Sequence, residues 1–334
     1  MQKVDFIIVG LGWAGSMVAY ELVKKGYAVA IYDNDFPFAA TPNTAAIINP
    51  ISGKKRNTVA NYELYFKVAQ DYYNELAVFF DQSFLSKKPI LLLNEIESIT
   101  QKSSLLNPFI KNLSTHENNM VDKAFGIQVQ DRQKIDEAFL VDAKNLMQHI
   151  KQFLNNKAVI HNKTFETKKV LWQTDGVQYE NLFANKIIFT RGAIEQKDNN
   201  IIDAKCFTPN RGDHLTVMIP DLSEDYIYDI GMRLVPLGNH MFWMGSNNIW
   251  DINSVAFNVD FRANATQLLK YKLKYPFQIL DYNIGFRPTT PGQKVIIEQV
   301  EEKPFTYIFN GLGTRGFSLG PYYLQQFLHL IIPN

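Results

Sequence analysis

Residues 4–15 read Val4-Asp5-Phe6-Ile7-Ile8-Val9-Gly10-Leu11-Gly12-Trp13-Ala14-Gly15, an almost continuous apolar run that breaks into G-x-G-x-x-G. An apolar stretch without alternation is expected of a parallel strand buried on both faces. Beyond the glycines, Ala14, Met17, Val18, Ala19, Leu22 and Val23 recur at helical spacing until Gly26 supplies a stop. Tyr27-Ala28-Val29-Ala30-Ile31-Tyr32 then predicts a second strand with Asp33 at its end. Each part has a task in a strand–turn–helix that holds a dinucleotide. Gly10 permits the tight turn, Gly12 lets the backbone approach a pyrophosphate, and Gly15 allows the helix to pack closely on the strand. The helix N-terminus offers free N–H groups and a positive dipole end to the phosphates, and Asp33 is placed to accept from the adenosine ribose hydroxyls. Glycines also mark ordinary turns, but here strand, glycines, helix, second strand and acid fall in register. The pattern by itself leaves FAD and NAD both open.

The remainder of the chain sets bounds. Its 334 residues predict two domains, and 46% apolar against 20% charged residues excludes disorder as the main state. Lys+Arg 34 against Asp+Glu 33 gives a net charge of +1, which argues against a polyanion-coating protein. A single cysteine, Cys206, excludes intramolecular disulfides and a Cys-rich metal cluster, and the six histidines show no ligand spacing. No uncharged apolar run reaches the roughly 18 residues of a membrane span, and the first residues predict a strand rather than a signal peptide. A soluble, cytoplasmic protein is expected. Aromatic residues are in excess at 13%, and core packing is the expected role for most of them.

Along the chain, residues 36–50 are rich in small residues and proline and predict a loop. Lys54-Lys55-Arg56 is expected to be a solvated surface run. Residues 59–80 predict a long amphipathic helix, residues 89–93 a strand, residues 94–125 a helix with loops, and residues 139–154 another helix. Strands are predicted at residues 158–160, 169–172, 176–179 and 186–190, the last entering Arg191-Gly192-Ala193. Residues 206–262 predict several strands, residues 265–275 a helix, and residues 294–298 and 305–309 two further strands. A second glycine-rich turn, Gly311-Leu312-Gly313-Thr314-Arg315-Gly316, precedes a final helix near residues 317–332. If both glycine turns touch one ligand, the nucleotide domain is discontinuous in sequence.

On these blocks the chain resembles the D-amino-acid oxidase and glycine oxidase family of FAD-dependent oxidoreductases. It also resembles the FAD half of the bifunctional enzyme that finishes methylaminomethyl groups on tRNA wobble uridines. Residues 10–33 fit the FAD signature, and residues 41–50 sit where the family has a loop under the flavin. Pro209-Asn210-Arg211-Gly212-Asp213 resembles its P-x-R-G-Q turn. Arg233-Leu234-Val235-Pro236 with Trp243-Met244-Gly245-Ser246 resembles its Y-x-x-P and G-x-T pair. Gly285-Phe286-Arg287-Pro288-Thr289-Thr290-Pro291 resembles G-x-R-P-x-T-x-D, and residues 311–321 resemble G-x-G-x-x-G-x-x-x-x-P. The sequence departs from the family after Pro291, where Gly292-Gln293-Lys294-Val295-Ile296-Ile297-Glu298 lacks the usual acid and closing glycine. It departs again at Ala45-Ala46, where the flavin loop usually has glycine.

The resemblance implies an α/β fold: a Rossmann-like FAD-binding domain of the glutathione-reductase type with a second α+β substrate domain on a mixed, mainly antiparallel sheet. It places the FAD domain at residues 1–57, 131–205 and 283–334 and the substrate domain at residues 58–130 and 206–282. It implies non-covalent FAD contacted by Gly10, Gly12, Trp13, Ala14, Gly15, Asp33, Thr44, Ala45, Ala46, Ile47, Phe165, Gly192, Gly313, Thr314, Arg315, Gly316 and Phe317. Arg287 is the expected partner of a substrate carboxylate, its planar fork matching a carboxylate bidentately, against a structural salt bridge. Arg315 either approaches flavin or substrate or points to solvent. His214 and Asp213 are expected to form a local turn or surface pair, with assistance of amine deprotonation as the alternative. Tyr226, Tyr228, Phe242 and Trp243 are expected mostly in the core, with an aromatic cage over an amine as the alternative.

The expected reaction is oxidation of a small-molecule amine or amino acid by hydride transfer from the substrate carbon to flavin N5. The alternatives are an FAD-dependent 2-hydroxy-acid dehydrogenase and a non-catalytic FAD-binding descendant of an oxidase. A nucleic-acid partner is not favoured by the charge, although tRNA stays open through the second resemblance. Oligomeric state is not legible in the sequence.

Overall fold

The computed structural model describes residues 1–53, 56–95, 107–198 and 200–332. Gln2–Val9 is a strand at the centre of the first sheet, paired in parallel with Val29–Asp33 on one side and Leu182–Phe189 on the other. Val159–Asn162 extends the sheet in parallel beyond Val29–Asp33, and Thr306–Asn310 does so beyond Leu182–Phe189. The hairpin Val170–Trp172 and Val177–Tyr179 and the strand Ile296–Gln299 add antiparallel edges. All the parallel strands present their carboxyl ends to one edge, where Asp33 ends its strand and Gly10, Thr190 and Gly311 follow theirs.

Six α-helices are found among the described residues: α1 Trp13–Lys24, α2 Tyr62–Phe80, α3 Thr115–Ala124, α4 Ala143–Asn155, α5 Val259–Lys272 and α6 Gly316–Ile331. Helices α1, α2, α4 and α6 bury Met17, Leu76, Ile150 and Phe327 in one core with Ile8, Ile31, Ile188 and Phe309. The opposite face of the same strands packs Ile7, Ala30, Ile187 and Ile308 against Val170, Val177 and Tyr179 of the hairpin. The unalternating apolar run at the N-terminus therefore has the physical cause its pattern predicts, burial on both faces.

A second sheet runs in the order Gln278–Arg287, Asn210–Met218, Met241–Gly245, Arg233–Gly238, Ile227–Asp229, Ile90–Asn94, Asp131–Ile135 and Ile110–Asn112. It is antiparallel except where Ile227–Asp229 pairs in parallel with Ile90–Asn94. One face buries Leu215, Val217, Phe242 and Met244 under α3 and α5. The α/β class and the mixed, mainly antiparallel second sheet agree with the expectation.

Several elements differ from the sequence reading. Residues 139–141 form a short strand, Phe139–Val141, and the helix begins only after it, with the Asp142 carboxylate accepting from the Asn145 N–H at 3.1 Å. A side-chain cap overrides apolar spacing in setting where a helix starts. The ten-residue strand Gln278–Arg287 and the strand Asp131–Ile135 were not predicted, because both carry polar residues at positions that pair with neighbours. Asp131–Ile135 is hydrogen-bonded into the second sheet rather than the first, and α2 packs on α6 in the first core. Lys54, Lys55 and residues 96–106 lie outside the described residues. No helix among the described residues is long and apolar enough to cross a membrane.

Candidate functional site

The carboxyl edge of the first sheet and one face of the second enclose a cavity of about 1730 Å³. That exceeds the roughly 300–1,000 Å³ that suits a single drug-sized ligand and leaves room for a dinucleotide with a substrate beside it.

At the nucleotide end, Gly10 turns at φ +100°, and a Cβ there would lie 2.8 Å from the Thr190 carbonyl oxygen. Gly15 does not line the cavity: its Cβ would fall 2.0 Å from the Gly10 oxygen and 2.6 Å from Thr190 Oγ1, so it serves the packing of α1 on the sheet. Gly12 is different. Its φ of −70° suits any residue, and its Cβ would meet only Thr41 Oγ1, at 3.3 Å. The protein's own packing therefore does not require glycine at residue 12, whereas close approach of a ligand to that backbone does. No side chain of Gly12 caps α1; the Trp13 N–H donates to Thr41 Oγ1 at 2.9 Å. Asp33 receives the Leu11 N–H at 2.9 Å and lines the cavity at the end of its strand.

The other predicted cofactor residues, Trp13, Ala14, Thr44, Ala45, Ala46, Ile47, Phe165, Gly192, Gly313, Thr314, Arg315, Gly316 and Phe317, all line the same cavity. Ala46 adopts φ +50°, so alanine occupies a left-handed position that glycine would take without strain. Gly192 and Gly313 also have positive φ, and a Cβ at Gly192 would meet nothing within 4 Å. The two glycine-rich turns are tied together: Trp13 Nε1 donates to the Gly316 carbonyl at 3.0 Å, and its indole stacks on Phe317 at 4.7 Å.

At the opposite end the period-two geometry of strands puts residues 212, 214 and 216 on the cavity face beside residues 241, 243 and 245 and residues 283, 285 and 287. Arg287 lies flat across Gly212, where a Cβ would come 1.9 Å from its Nη2. Its guanidinium donates to Ser246 Oγ at 2.5 Å, to Asn248 Oδ1 at 2.9 Å, to the Asn247 carbonyl at 3.2 Å and to Asn210 Oδ1. All four partners are neutral. Burial depresses the guanidinium pKa, and Asp213, the nearest opposing charge, is already bonded to Arg211 at 2.6 Å and to Asn247 at 2.8 Å. The structural salt bridge weighed for Arg287 is absent among the described residues. A desolvated arginine held by neutral groups and open to a cavity is built to receive an anion.

Arg315 is half-buried and donates to Ser52 Oγ at 2.5 Å, so it does not point freely into solvent; burial lowers its pKa as well. His214 and Asp213 correct the sequence reading: both are buried in the strand Asn210–Met218, not in a turn. Asp213 faces away from the cavity, where the Arg211 guanidinium it binds also holds the Ser254 and Ala256 carbonyls and Tyr282. Of the four aromatic residues weighed for a cage, only Trp243 lines the cavity; Tyr228 and Phe242 are fully buried in the core under α3 and α5. The altered residues 292–298 contribute nothing to the cavity lining and instead build the edge strand Ile296–Gln299. Sequence reasoning missed Asn210, Ser246 and Asn248 as the holders of Arg287. It also missed the alternation of His214 and Thr216 with Leu215 and Val217, which marks a strand with one polar face.

Residues 5–323 match the family model described as DAO, FAD dependent oxidoreductase. The uncharacterized oxidoreductase YurR of Bacillus subtilis is 23% identical over 364 residues, covering 98% of this chain and 95% of that protein. Iminodiacetate oxidase from Chelativorans superposes with a TM-score of 0.76 at 16% identity, over 98% of this chain and 95% of that one. Glycine oxidase from Bacillus cereus gives 0.75 at 16% identity, over 98% and 94%. At these identities the likeness to the solved structures is one of fold.

Proposed function

The chain belongs to the FAD-dependent oxidoreductase (DAO) family, and from that premise we propose that it oxidises an amino acid or a related carboxylate-bearing amine. The observation that carries the reading is Arg287, partly buried, held by neutral partners and lining the cavity. It is supported by the names of two proteins of like fold, an iminodiacetate oxidase and a glycine oxidase.

In this reading Gly12 and Ala14 at the start of α1 receive the pyrophosphate, Asp33 the ribose, and residues 44–47 with the turn at residues 313–317 the flavin, held without a covalent link. Bound FAD supplies the chemistry of a two-electron acceptor for a hydride leaving the carbon next to nitrogen. The chain's own contribution is orientation. Arg287 offers the carboxylate its positive charge and its Nε–H, the one N–H not given to Asn210, Ser246, Asn247 and Asn248, and those four fix Arg287, so the adjacent carbon is presented in one pose. Trp243 and Met241 line the same cavity.

The test is anaerobic titration of the FAD-loaded protein with glycine, D- and L-amino acids, N-substituted glycines and 2-hydroxy acids, following loss of the oxidised-flavin absorbance. Bleaching by amino acids is expected, with an Arg287→Lys variant needing at least about tenfold more substrate because an ammonium cannot keep all four neutral acceptors and still face the carboxylate. Bleaching by 2-hydroxy acids alone would replace the reading with the dehydrogenase alternative. Reduction by dithionite but by no substrate would leave only a flavin-binding role.

A further inference from the structure

The sheet face that carries Arg287 carries a second arginine. Arg233 pairs across the sheet with Gly245, Gly245 with His214 and His214 with Asn283, so the four share one face, and all four line the cavity. The Arg233 side chain is half-buried, and its hydrogen bond runs from Nε to Asp229 Oδ2 at 3.5 Å. A pair of that length between half-exposed groups contributes little. Among the described residues the outer edge of the guanidinium, Nη1 with Nη2, has no hydrogen-bond partner.

The two arginines stand too far apart to close on one carboxylate. The Arg287 guanidinium lies over Gly212, and Arg233 begins two strands and two residues from that glycine, about 12 Å by strand spacing and rise. Asp229 is on the strand beyond Arg233, so its bond holds Nε on the side away from Gly212. The floor between them is uncharged. Trp243 covers Gly245, where a Cβ would lie 3.1 Å from the indole Cη2, and it stacks on His214, whose pKa burial pushes down to about 4. Lys88 and Glu224 line the same end but are engaged on the protein. Lys88 Nζ donates to the Glu224 carbonyl at 2.7 Å, and the Glu224 carboxylate accepts the His240 N–H at 2.6 Å.

A ligand that satisfies both arginines carries two anionic groups across an apolar spacer. With each carboxylate at hydrogen-bond distance from its arginine, roughly 4–5 Å remains between the two carboxylate carbons, the span of a link of two or three carbons.

We propose that Arg233 is a second anion subsite and that the substrate is an acidic amino acid, its α-carboxylate at Arg287 and its side-chain carboxylate at Arg233. The carbon chain between them lies on Trp243, and no covalent bond changes at Arg233. This rests on the amino-acid reading above and adds to it the class of amino acid.

The test uses the FAD-loaded protein and unreactive acids in matched pairs, butyrate with succinate and valerate with glutarate, in which a carboxylate replaces a methyl. Affinities at neutral pH and fixed ionic strength are read by calorimetry and by perturbation of the flavin absorbance. In the wild type each dicarboxylate is expected to bind at least about tenfold tighter than its partner, the gain of one charge-assisted pair. Arg233→Met, which keeps an unbranched stem, is expected to bring that ratio to about one or below. Arg233→Lys, which keeps the charge without the fork, retains part of it. A ratio of about one in the wild type, or a ratio that Arg233→Met leaves unchanged while butyrate still binds, overturns the second subsite. If Arg233→Met loses butyrate as well, Arg233→Lys decides: an intermediate ratio supports the subsite and an unchanged one overturns it. Failure of all four acids to bind the wild type instead overturns the carboxylate reading of Arg287, and the proposal with it.

Discussion

At the scale of single residues, the Arg287 end of the cavity is marked by what Arg287 and His214 lack. His214 is buried and Arg287 partly so, and neither has the carboxylate that burial of a positive charge usually brings with it. For His214 this has a consequence for stability. Its folded pKa of about 4 lies below the unfolded value of 6.5, so the unfolded chain binds more protons between those two pH values. The contribution is complete above about pH 6.5 and is lost as pH falls toward about 4, with an upper limit of about 3 kcal/mol. The difference in unfolding free energy between wild type and His214→Phe, from urea melts, should therefore shrink between about pH 7.5 and about pH 5. An unchanged difference across that range would show that the ring titrates in the folded protein as it does in the unfolded chain.

At the scale of elements, the strand–turn–helix at the N-terminus separates two uses of glycine. Gly15 is confined by Gly10 and Thr190 at distances no side chain tolerates, while Gly12 opens on the cavity with an unstrained backbone. Gly15→Val should cost about 1–3 kcal/mol of folding stability in the presence or absence of FAD, because α1 must shift off its strand. Gly12→Val should leave the melting temperature of the FAD-stripped chain close to wild type while abolishing FAD retention on gel filtration. Equal losses of stability in the two variants would mean that Gly12 is a packing residue. The signature was legible because each glycine answers to a local constraint. The strand Gln278–Arg287 was not, because its register is set by Asn210–Met218, about seventy residues earlier in the chain.

At the scale of the molecule, Trp13 joins the two ends of the chain. Its indole lies between Tyr73 of α2, at 6.1 Å, and Phe317 of α6, and its Nε1 bonds the Gly316 carbonyl. The turn that begins α1 and the turn that begins α6 are thereby fixed to each other, and with them both edges of the cavity. Trp13→Ala should lower unfolding stability by about 3–5 kcal/mol, and Trp13→Phe, which keeps the stacking but loses the hydrogen bond, by about 1 kcal/mol. Urea denaturation of the two variants measures this directly. Equal, small effects would show that the ends are held by the sheet alone. Much of the aromatic excess is of this kind, rings packed between helices, with Tyr72, Tyr73 and Phe327 buried in the same core.

The sequence by itself determined the nucleotide half: residues 4–33 specify strand, turn, helix and acid through contacts that are near in sequence and periodic. It also marked Arg287 and both glycine turns, because glycine and arginine in fixed spacing are chemically restrictive. Tertiary structure alone decided which side of each strand faces the cavity and which charges are paired. That Arg211 takes Asp213 and leaves Arg287 without a carboxylate follows from the alternation of side chains across one strand and from its register with two others. No local pattern encodes that register. It is fixed where the apolar residues of one sheet face meet α3 and α5, and the opposite face, with Arg287 and His214, is turned to the cavity as a result.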